Sequence, residues 1–438
     1  MEFAVKLRVS KTEQRIADRL RDAFPKDWLH EQAKETGLIK RLRDFDPVVL
    51  FWVLVLNVGT ETNACLETLR RNYNKAADKA MVYSSFYERF TPELVAYLHA
   101  CVIRGLEHLA SWSNVHLAES LKGFKDILIQ DSTVIRLHEK LQDKYPITRG
   151  RKAAAGVKLS CLMSVVADGP KTLRLYPERT AEAKTLRIGP WVKDSILLVD
   201  LGFYKHHAFA KIKENGGHFV SRLKDSSDPY IVKAFNTVRG NSVQVEGNHL
   251  RDVLPLLKRE VLDCEVELDF RRRNYKGKTR KDTLRVRLVS IRNEETGEYH
   301  SYLTTLGEDF TPNEVASLYR CRWEIEILFR QLKNKHGLDK IPFSNENAVQ
   351  AILWTSILTM LVHRCLYHTV REDNPKLRRG YSREKSAKQF KEHVPKLFLL
   401  LFHWYELEYD LAEISFWEDS GAFNPYRKNR SHLQEWEA

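Results

Sequence analysis

Asp126-Ile127-Leu128-Ile129-Gln130-Asp131 is a short apolar run that ends in an acid and leads into a turn-prone Ser132-Thr133. It reads as a buried strand. The pattern returns in Ser195-Ile196-Leu197-Leu198-Val199-Asp200, followed by Leu201-Gly202-Phe203 and an expected helix to Asn215. Between the two runs, Lys158 to Val166 and Lys171 to Tyr176 read as strands around Ala167-Asp168-Gly169-Pro170, a turn by composition. The first three strands are therefore expected to be antiparallel neighbours. With a helix over Thr180 to Ile188 and a strand from Gly217 to Leu223, the region predicts a mixed five-stranded sheet with helices packed on it.

Outward from this core the texture changes on both sides. From Lys11 to about Ala110 apolar residues recur at helical spacing, as in Leu66, Leu69 and Tyr73. Ser84 to Phe90 precedes Thr91-Pro92-Glu93, an N-cap and first-turn proline that open a further helix. A helix-turn-helix-like DNA reader and an ordinary helical bundle with solvated Arg70 and Arg71 both fit this pattern. Downstream, Glu265 to Phe270 and Leu284 to Val289 alternate with a period of two. The loop between them, Arg271 to Lys281, is the densest basic run in the chain and has Tyr275 at its centre. A long helix is expected from Thr311 to about His336, stopped by Gly337, and the remainder reads as helical and aromatic. The expected organisation is a helical region at 1–120, the first part of an α/β core at 121–223, a β-rich insertion at 224–308, a core helix at 309–344 and a helical region at 345–438.

The 438 residues carry 71 Lys and Arg against 58 Asp and Glu, a net charge of +13 with a pI near 9.3. That field attracts polyanions. The basic residues are spread along the chain and not gathered on one amphipathic helix, which favours nucleic acid over a membrane surface. The apolar stretches Val48 to Val58 and Ala351 to Val362 fall short of the roughly 20 residues a bilayer requires and read as buried helices, so no membrane span is expected. The N-terminus lacks a secretion signal, and a bacterial cytoplasmic, nucleoid-associated location is expected. Cys65, Cys101, Cys161, Cys264, Cys321 and Cys365 are scattered with no Cys-x-x-Cys pair, which excludes an evident zinc site or disulfide framework.

Tyr319, Arg322, Glu326 and Lys333 are separated by three, four and seven positions. At about 100° per residue on one helix they fall within roughly 60° of arc, with Arg330 beside them. Leu318, Ile325, Leu328, Phe329 and Leu332 fill the adjoining arc, so one flank can be buried while the polar stripe faces a cleft. An Arg322–Glu326 surface ion pair is the plain alternative, and Asp131 and Asp200 have one too, as caps of the next element. Taken together, two strand-terminal carboxylates and one helical carboxylate make an all-oxygen set suited to Mg²⁺ or Mn²⁺. Phosphodiester hydrolysis and transesterification use two such ions.

The pattern Y-x-x-R-x-x-x-E-x-x-x-x-x-x-K from Tyr319 to Lys333 resembles the signature of the insertion-sequence-four family of bacterial DDE transposases. Asp131 within Ile-Gln-Asp-Ser-Thr and Asp200 within Val-Asp-Leu-Gly-Phe are similar to that family's other two segments, in the expected order. The resemblance implies an α/β fold: a ribonuclease-H-like mixed sheet core with a β-rich insertion, flanked by helical N- and C-terminal regions. It implies that Asp131, Asp200 and Glu326 are catalytic and hold two Mg²⁺ or Mn²⁺ ions, and that Tyr319, Arg322 and Lys333 bind DNA phosphates, with Arg330 beside them. The implied activity is cut-and-paste transposition: binding of terminal inverted repeats on double-stranded DNA, excision through a hairpin intermediate and joining to target DNA, by a homodimer. Relatives stack a flipped base on an aromatic in the insertion, usually tryptophan. No tryptophan lies between Trp191 and Trp323, which leaves Tyr275 as the favoured stacking residue, with Trp323 as a further candidate. A metal-dependent nuclease without strand transfer and a catalytically silent DNA-binding derivative remain as rivals.

Overall fold

The computed structural model describes residues 9–40, 45–58, 66–77, 80–113, 115–148, 155–235, 245–273, 279–338, 341, 343–377 and 380–404. The N-terminal part is helical: α1 (Lys11–Ala23), α2 (Lys26–Glu35), α3 (Pro47–Asn57), α4 (Leu66–Ala76), α5 (Tyr83–Tyr87) and α6 (Pro92–Trp112). Local chemistry sets the starts. Ser10 and Glu13 form a capping box on α1, Asp46 accepts from Val48 and Val49 ahead of Pro47, and Thr91 caps α6 ahead of Pro92 as its sequence predicts. Helix α3 is apolar all round and buried from Pro47 to Leu56, so it lies inside the helical layer and not on its surface.

The strands are β1 (Asp126–Leu137), β2 (Ala155–Ser164), β3 (Gly169–Pro177), β4 (Ser195–Val199), β5 (His218–Arg222), β6 (Tyr230–Ala234), β7 (Val261–Arg273), β8 (Thr279–Arg292) and β9 (Tyr299–Thr304). They form one nine-stranded sheet in the order β3-β2-β1-β4-β5-β9-β8-β7-β6. β1, β2 and β3 are antiparallel neighbours, as expected, and β4 and β5 join parallel to β1. The sheet is larger than the five strands predicted. β9 pairs antiparallel with β5 and carries β8, β7 and β6 outward, so the strands after Lys224 extend the same sheet. Periodicity identifies such strands but says nothing about which edge they join.

Around the sheet lie α7 (His206–Glu214), α8 (Leu250–Val253), α9 (Pro312–Arg320), α10 (Trp323–Lys335), α11 (Glu346–Asp373) and α12 (Arg383–Trp404). Alternation along the central strands divides the core in two. Ile127, Ile129, Ile196 and Leu198 face the layer of α3, α6, α10 and α11, whereas Leu128, Leu197 and Val199 face Phe203, Phe209 and Ile212. Because helices or turns cover both faces, these strands read as continuous apolar runs. The helix expected over Thr180 to Ile188 is reduced to a 3-10 turn at Glu182–Lys184. Helix α11 is long and apolar enough to cross a membrane by composition, yet 94% of its most apolar window is buried inside the protein.

A buried ionic cluster ties these layers together. Asp168, at φ 49° in the β2–β3 turn, faces Arg364 (3.4 Å) and His368 (3.3 Å) on α11 and Arg383 (2.5 Å) on α12. Arg383 also reaches Glu324 on α10 at 2.5 Å, and Arg364 donates to Gln331 on α10 at 3.0 Å. Burial opposes the charge on Asp168, but the Arg383 and Arg364 guanidiniums, and then a hydrogen bond from His368, outweigh it and hold the carboxyl well below the ordinary carboxylate range. Removing the anion strands buried cations. Asp168→Ala is expected to lower the unfolding free energy by about 3–5 kcal/mol, read from urea unfolding; an unchanged midpoint contradicts the cluster's role.

His363 and His368 are buried on α11, and burial is the main cause that lowers both below the usual imidazole value. As pH falls below 6.5 these two imidazoles bind fewer protons in the folded than in the unfolded state, and the stability they contribute is lost; Asp131, pushed up to about 6, opposes this only below that pH. The melting temperature is expected to be level from pH 7.5 to 6.5 and to fall between 6.5 and 5.5, with a slope of up to about 1.4 kcal/mol per pH unit for each histidine. A flat profile over that window overturns the assignment of neutral, buried imidazoles.

Candidate active site

The parallel β1/β4 ladder runs from Asp126 opposite Ser195 to Gln130 opposite Val199. One residue further on are Asp131, still on β1, and Asp200, just past the end of β4, so the two acids project from chain segments whose strands lie about 4.8 Å apart. β1 continues past this point only as the partner of β2, with Asp131 opposite Cys161. The acids thus mark the carboxyl end of a parallel pair, where open α/β sheets gather their ligands. Each is oriented locally. Asp131 accepts from the Ser132 N–H at 2.7 Å, and Asp200 caps the 3-10 turn Leu201–Phe203 through the Gly202 N–H at 3.3 Å.

The third acid arrives on α10. The single long helix expected from Thr311 to His336 is in fact two, α9 and α10, joined by a tight turn at Cys321–Arg322. There Cys321 donates to Leu318, Arg322 to Tyr319 and Glu324 to Cys321, all three residues back, so the chain tightens from α to 3-10 geometry without leaving the helical region. The polar stripe is therefore not a property of one regular helix. Tyr319 ends α9, Arg322 occupies the turn, and Glu326 and Lys333 belong to α10.

Arg322 sits between the acids. Its guanidinium lies 2.7 Å from Glu326, 3.5 Å from Asp200 and 3.8 Å from Asp131. The plain alternative, an Arg322–Glu326 ion pair four residues apart, is present, but it is one arm of a three-way contact. Burial is the largest cause that pushes Asp131 up to about 6; Asp200 and Glu182 push the same way, against the Ser132 N–H and Arg322. Tyr319 is buried with its ring 5.5 Å from that of Tyr302, and burial, then Asp200, push its hydroxyl up to about 12.

The other predicted residues are placed unevenly. Lys333 is half-buried two turns along α10 from Glu326, roughly 10 Å on, and Arg330 is exposed. Trp323 is 52% exposed with the Arg322 guanidinium 5.6 Å from its ring centroid, so it does not serve as core packing. Tyr275 lies outside the described residues. Arg272 of the basic run is engaged by Glu214 and Asp282. Sequence reasoning missed Glu182, which accepts from the Ser132 hydroxyl at 3.2 Å. No local signal marks it, because the approach is created by two turns remote in sequence.

Among the described residues, no three His, Cys, Asp or Glu side chains converge closely enough to hold a metal ion as they stand. The donor set nevertheless fits a hard divalent cation. It is all oxygen, and it already draws one positive group, the Arg322 guanidinium, to its centre.

Comparison with known proteins covers most of the chain. It is similar to the transposase of insertion sequence element IS1151 from Clostridium perfringens, 19% identical over 392 residues that cover 81% of this chain and 80% of that one. It is similar to the transposase of IS231F from Bacillus thuringiensis subsp. israelensis, 19% identical over 389 residues, with the same 81% and 80% coverage. Among solved structures, a piggyBac transposase synaptic complex with hairpin DNA aligns with a TM-score of 0.49 at 10% identity, covering 93% of this chain and 87% of that chain. Residues 122–362, more than half of the chain and the span from before Asp131 to beyond Glu326, match the Transposase DDE domain family, to which this chain belongs.

Proposed function

We propose that this chain is a cut-and-paste transposase of the insertion-sequence-four type, with Asp131, Asp200 and Glu326 as its metal-binding catalytic acids. The observation that carries this reading is the juxtaposition of all three around Arg322 at the carboxyl end of the β1/β4 pair. The order β3-β2-β1-β4-β5, antiparallel on one side and parallel on the other, supports a ribonuclease-H-like core at 121–223 that α10 completes. In this reading 224–308 is its β-rich insertion, 1–120 the helical DNA-binding region and 345–438 the helical C-terminal region. The protein acts as a homodimer on terminal inverted repeats and target DNA in the bacterial cytoplasm, at the nucleoid.

Two Mg²⁺ or Mn²⁺ ions, when bound, activate the attacking water or 3′-hydroxyl and stabilise the leaving oxygen. The protein's own groups prepare that chemistry. Ser132 and Gly202 N–H groups orient Asp131 and Asp200. Arg322 is the counter-charge of the free site and, as cations and DNA enter, turns its planar fork to a phosphate at the transposon end. Tyr319 contributes a hydroxyl held protonated, Lys333 a point charge and Arg330 an exposed contact farther along the same helix. Hairpin formation follows when the freed 3′-hydroxyl of the element's end attacks the phosphodiester of the opposite strand; the bond to the flanking strand's 3′-oxygen breaks, and its departure as a hydroxyl frees the end from the flanking DNA.

Incubation of the purified chain with end-containing DNA and Mg²⁺, resolved on a denaturing gel, is expected to yield nicks, hairpins and joined products. Glu326→Ala should bind the same ends and yield none of these. Nicks without hairpins or joined products from wild type would identify a nuclease, and binding without cleavage a silent derivative. Arg322→Ala is expected to lower hairpin formation about 10²–10³-fold, the scale for loss of one preorganised charge stabiliser. The same variant should bind Mn²⁺ more tightly, because the competing guanidinium is gone. Weaker Mn²⁺ binding in Arg322→Ala, measured by calorimetry, contradicts the counter-charge role.

A further inference from the structure

Beside the three acids lies a fourth carboxylate that the transposase reading does not use. Glu182, in the 3-10 turn Glu182–Lys184, accepts a hydrogen bond from the Ser132 hydroxyl at 3.2 Å. Ser132 in turn donates its backbone N–H to Asp131. The other Glu182 oxygen lies over the Cα of Gly202: a Cβ built there would meet Glu182 Oε2 at 1.9 Å and Asp200 Oδ2 at 3.8 Å. Both oxygens thus lie within 3.8 Å of one methyl-sized point, and only the absence of a side chain at 202 leaves room for them. Gly202 does not need its conformational freedom, since it is not among the residues of positive φ. Its small size is what the site uses.

The charge balance gives the arrangement its meaning. Among the described residues, no Lys or Arg pairs with Glu182, and Arg322 is the one cation between Asp131, Asp200 and Glu326. Placing a fourth unneutralised carboxylate against this group costs free energy in the cation-free protein and raises the site's attraction for cations. We propose that Glu182 is a positioning residue of the divalent-cation site, fixing Ser132 and so Asp131 while adding negative charge beside Asp200, with Gly202 as the gap that admits it. This rests on the metal-dependent reading above.

The test uses the full chain and Mn²⁺ alone, with affinity measured by calorimetry and the metal-free melting temperature recorded for each variant. Glu182→Gln removes the charge and keeps the acceptor for Ser132; Gly202→Ala keeps the charge and displaces the carboxylate, the flexible end of its side chain. Both are expected to weaken Mn²⁺ binding about 10- to 100-fold, the range for outer-shell partners of metal sites. The metal-free melting temperature of Glu182→Gln should be unchanged or raised, because a repulsion is relieved. Asp131→Asn is the reference. If it weakens Mn²⁺ binding while both other variants stay within about twofold of wild type, Glu182 is not part of the cation site and the three-acid reading stands. If Asp131→Asn also leaves binding unchanged, the metal reading itself falls and takes this inference with it. A lowered metal-free melting temperature in Glu182→Gln alongside weaker binding would mark a merely structural role and overturn the proposal.

Discussion

Carboxylates gathered at the end of a parallel strand pair repel one another, and among the described residues the guanidinium of Arg322 meets that repulsion. Arg322 reaches Asp131, Asp200 and Glu326 at once because the α9/α10 junction tightens to 3-10 geometry at Cys321–Arg322. A regular helix would rotate Tyr319 and Arg322 by about 300°; three residues per 3-10 turn bring them nearly into line. The junction therefore does more than connect two helices. It aims the counter-charge at the sheet edge while the apolar flank of α10, Ile325, Leu328 and Leu332, stays in the core.

That aim needs a rigid support, and the support is ionic as well as apolar. Glu324 and Gln331, on the inner side of the helix that bears Glu326, are held by Arg383 and Arg364 from α12 and α11, and both arginines converge on Asp168 in the β2–β3 turn. Such a cluster is weak as a source of net stability, since each charge must be desolvated, but it is intolerant of losing one member. It specifies one docking of α10 against the C-terminal helices and one sheet turn. The three candidate acids are thus carried by two frameworks, the β1/β4 register and the α10–α11–α12 layer, that meet at the same sheet edge.

The free site holds its acids near a protein cation. In the proposed mechanism Arg322 leaves this position as metal and phosphate enter, so the same residue balances charge before binding and recognises DNA afterwards. Trp323 stands exposed next to it, with an aromatic face available on the solvent side. Glu182 and Gly202 add a further layer of control from turns that neither strand periodicity nor helix periodicity describes.

Much of this was legible in the residues. The apolar runs ending at Asp131 and Asp200, the hairpin at Asp168, the cap at Thr91-Pro92 and the apolar flank of the Glu326 helix are local patterns, set by side-chain periodicity of two or about 3.6 and by capping chemistry. The strand-end acids stand out by the same patterns, whereas the roles expected of Glu326, Arg322 and Tyr319 rest on the resemblance to the insertion-sequence-four signature. The nine-stranded continuity of the sheet was not legible, because which edge β9 joins depends on pairing between segments distant in sequence. The same holds for the collapse of the expected 180–188 helix to one turn, for the break at Cys321–Arg322 and for the approach of Glu182 to Gly202. Local periodicity records which face of an element is buried, whereas the meeting of charges from four separate segments is decided by how those elements pack.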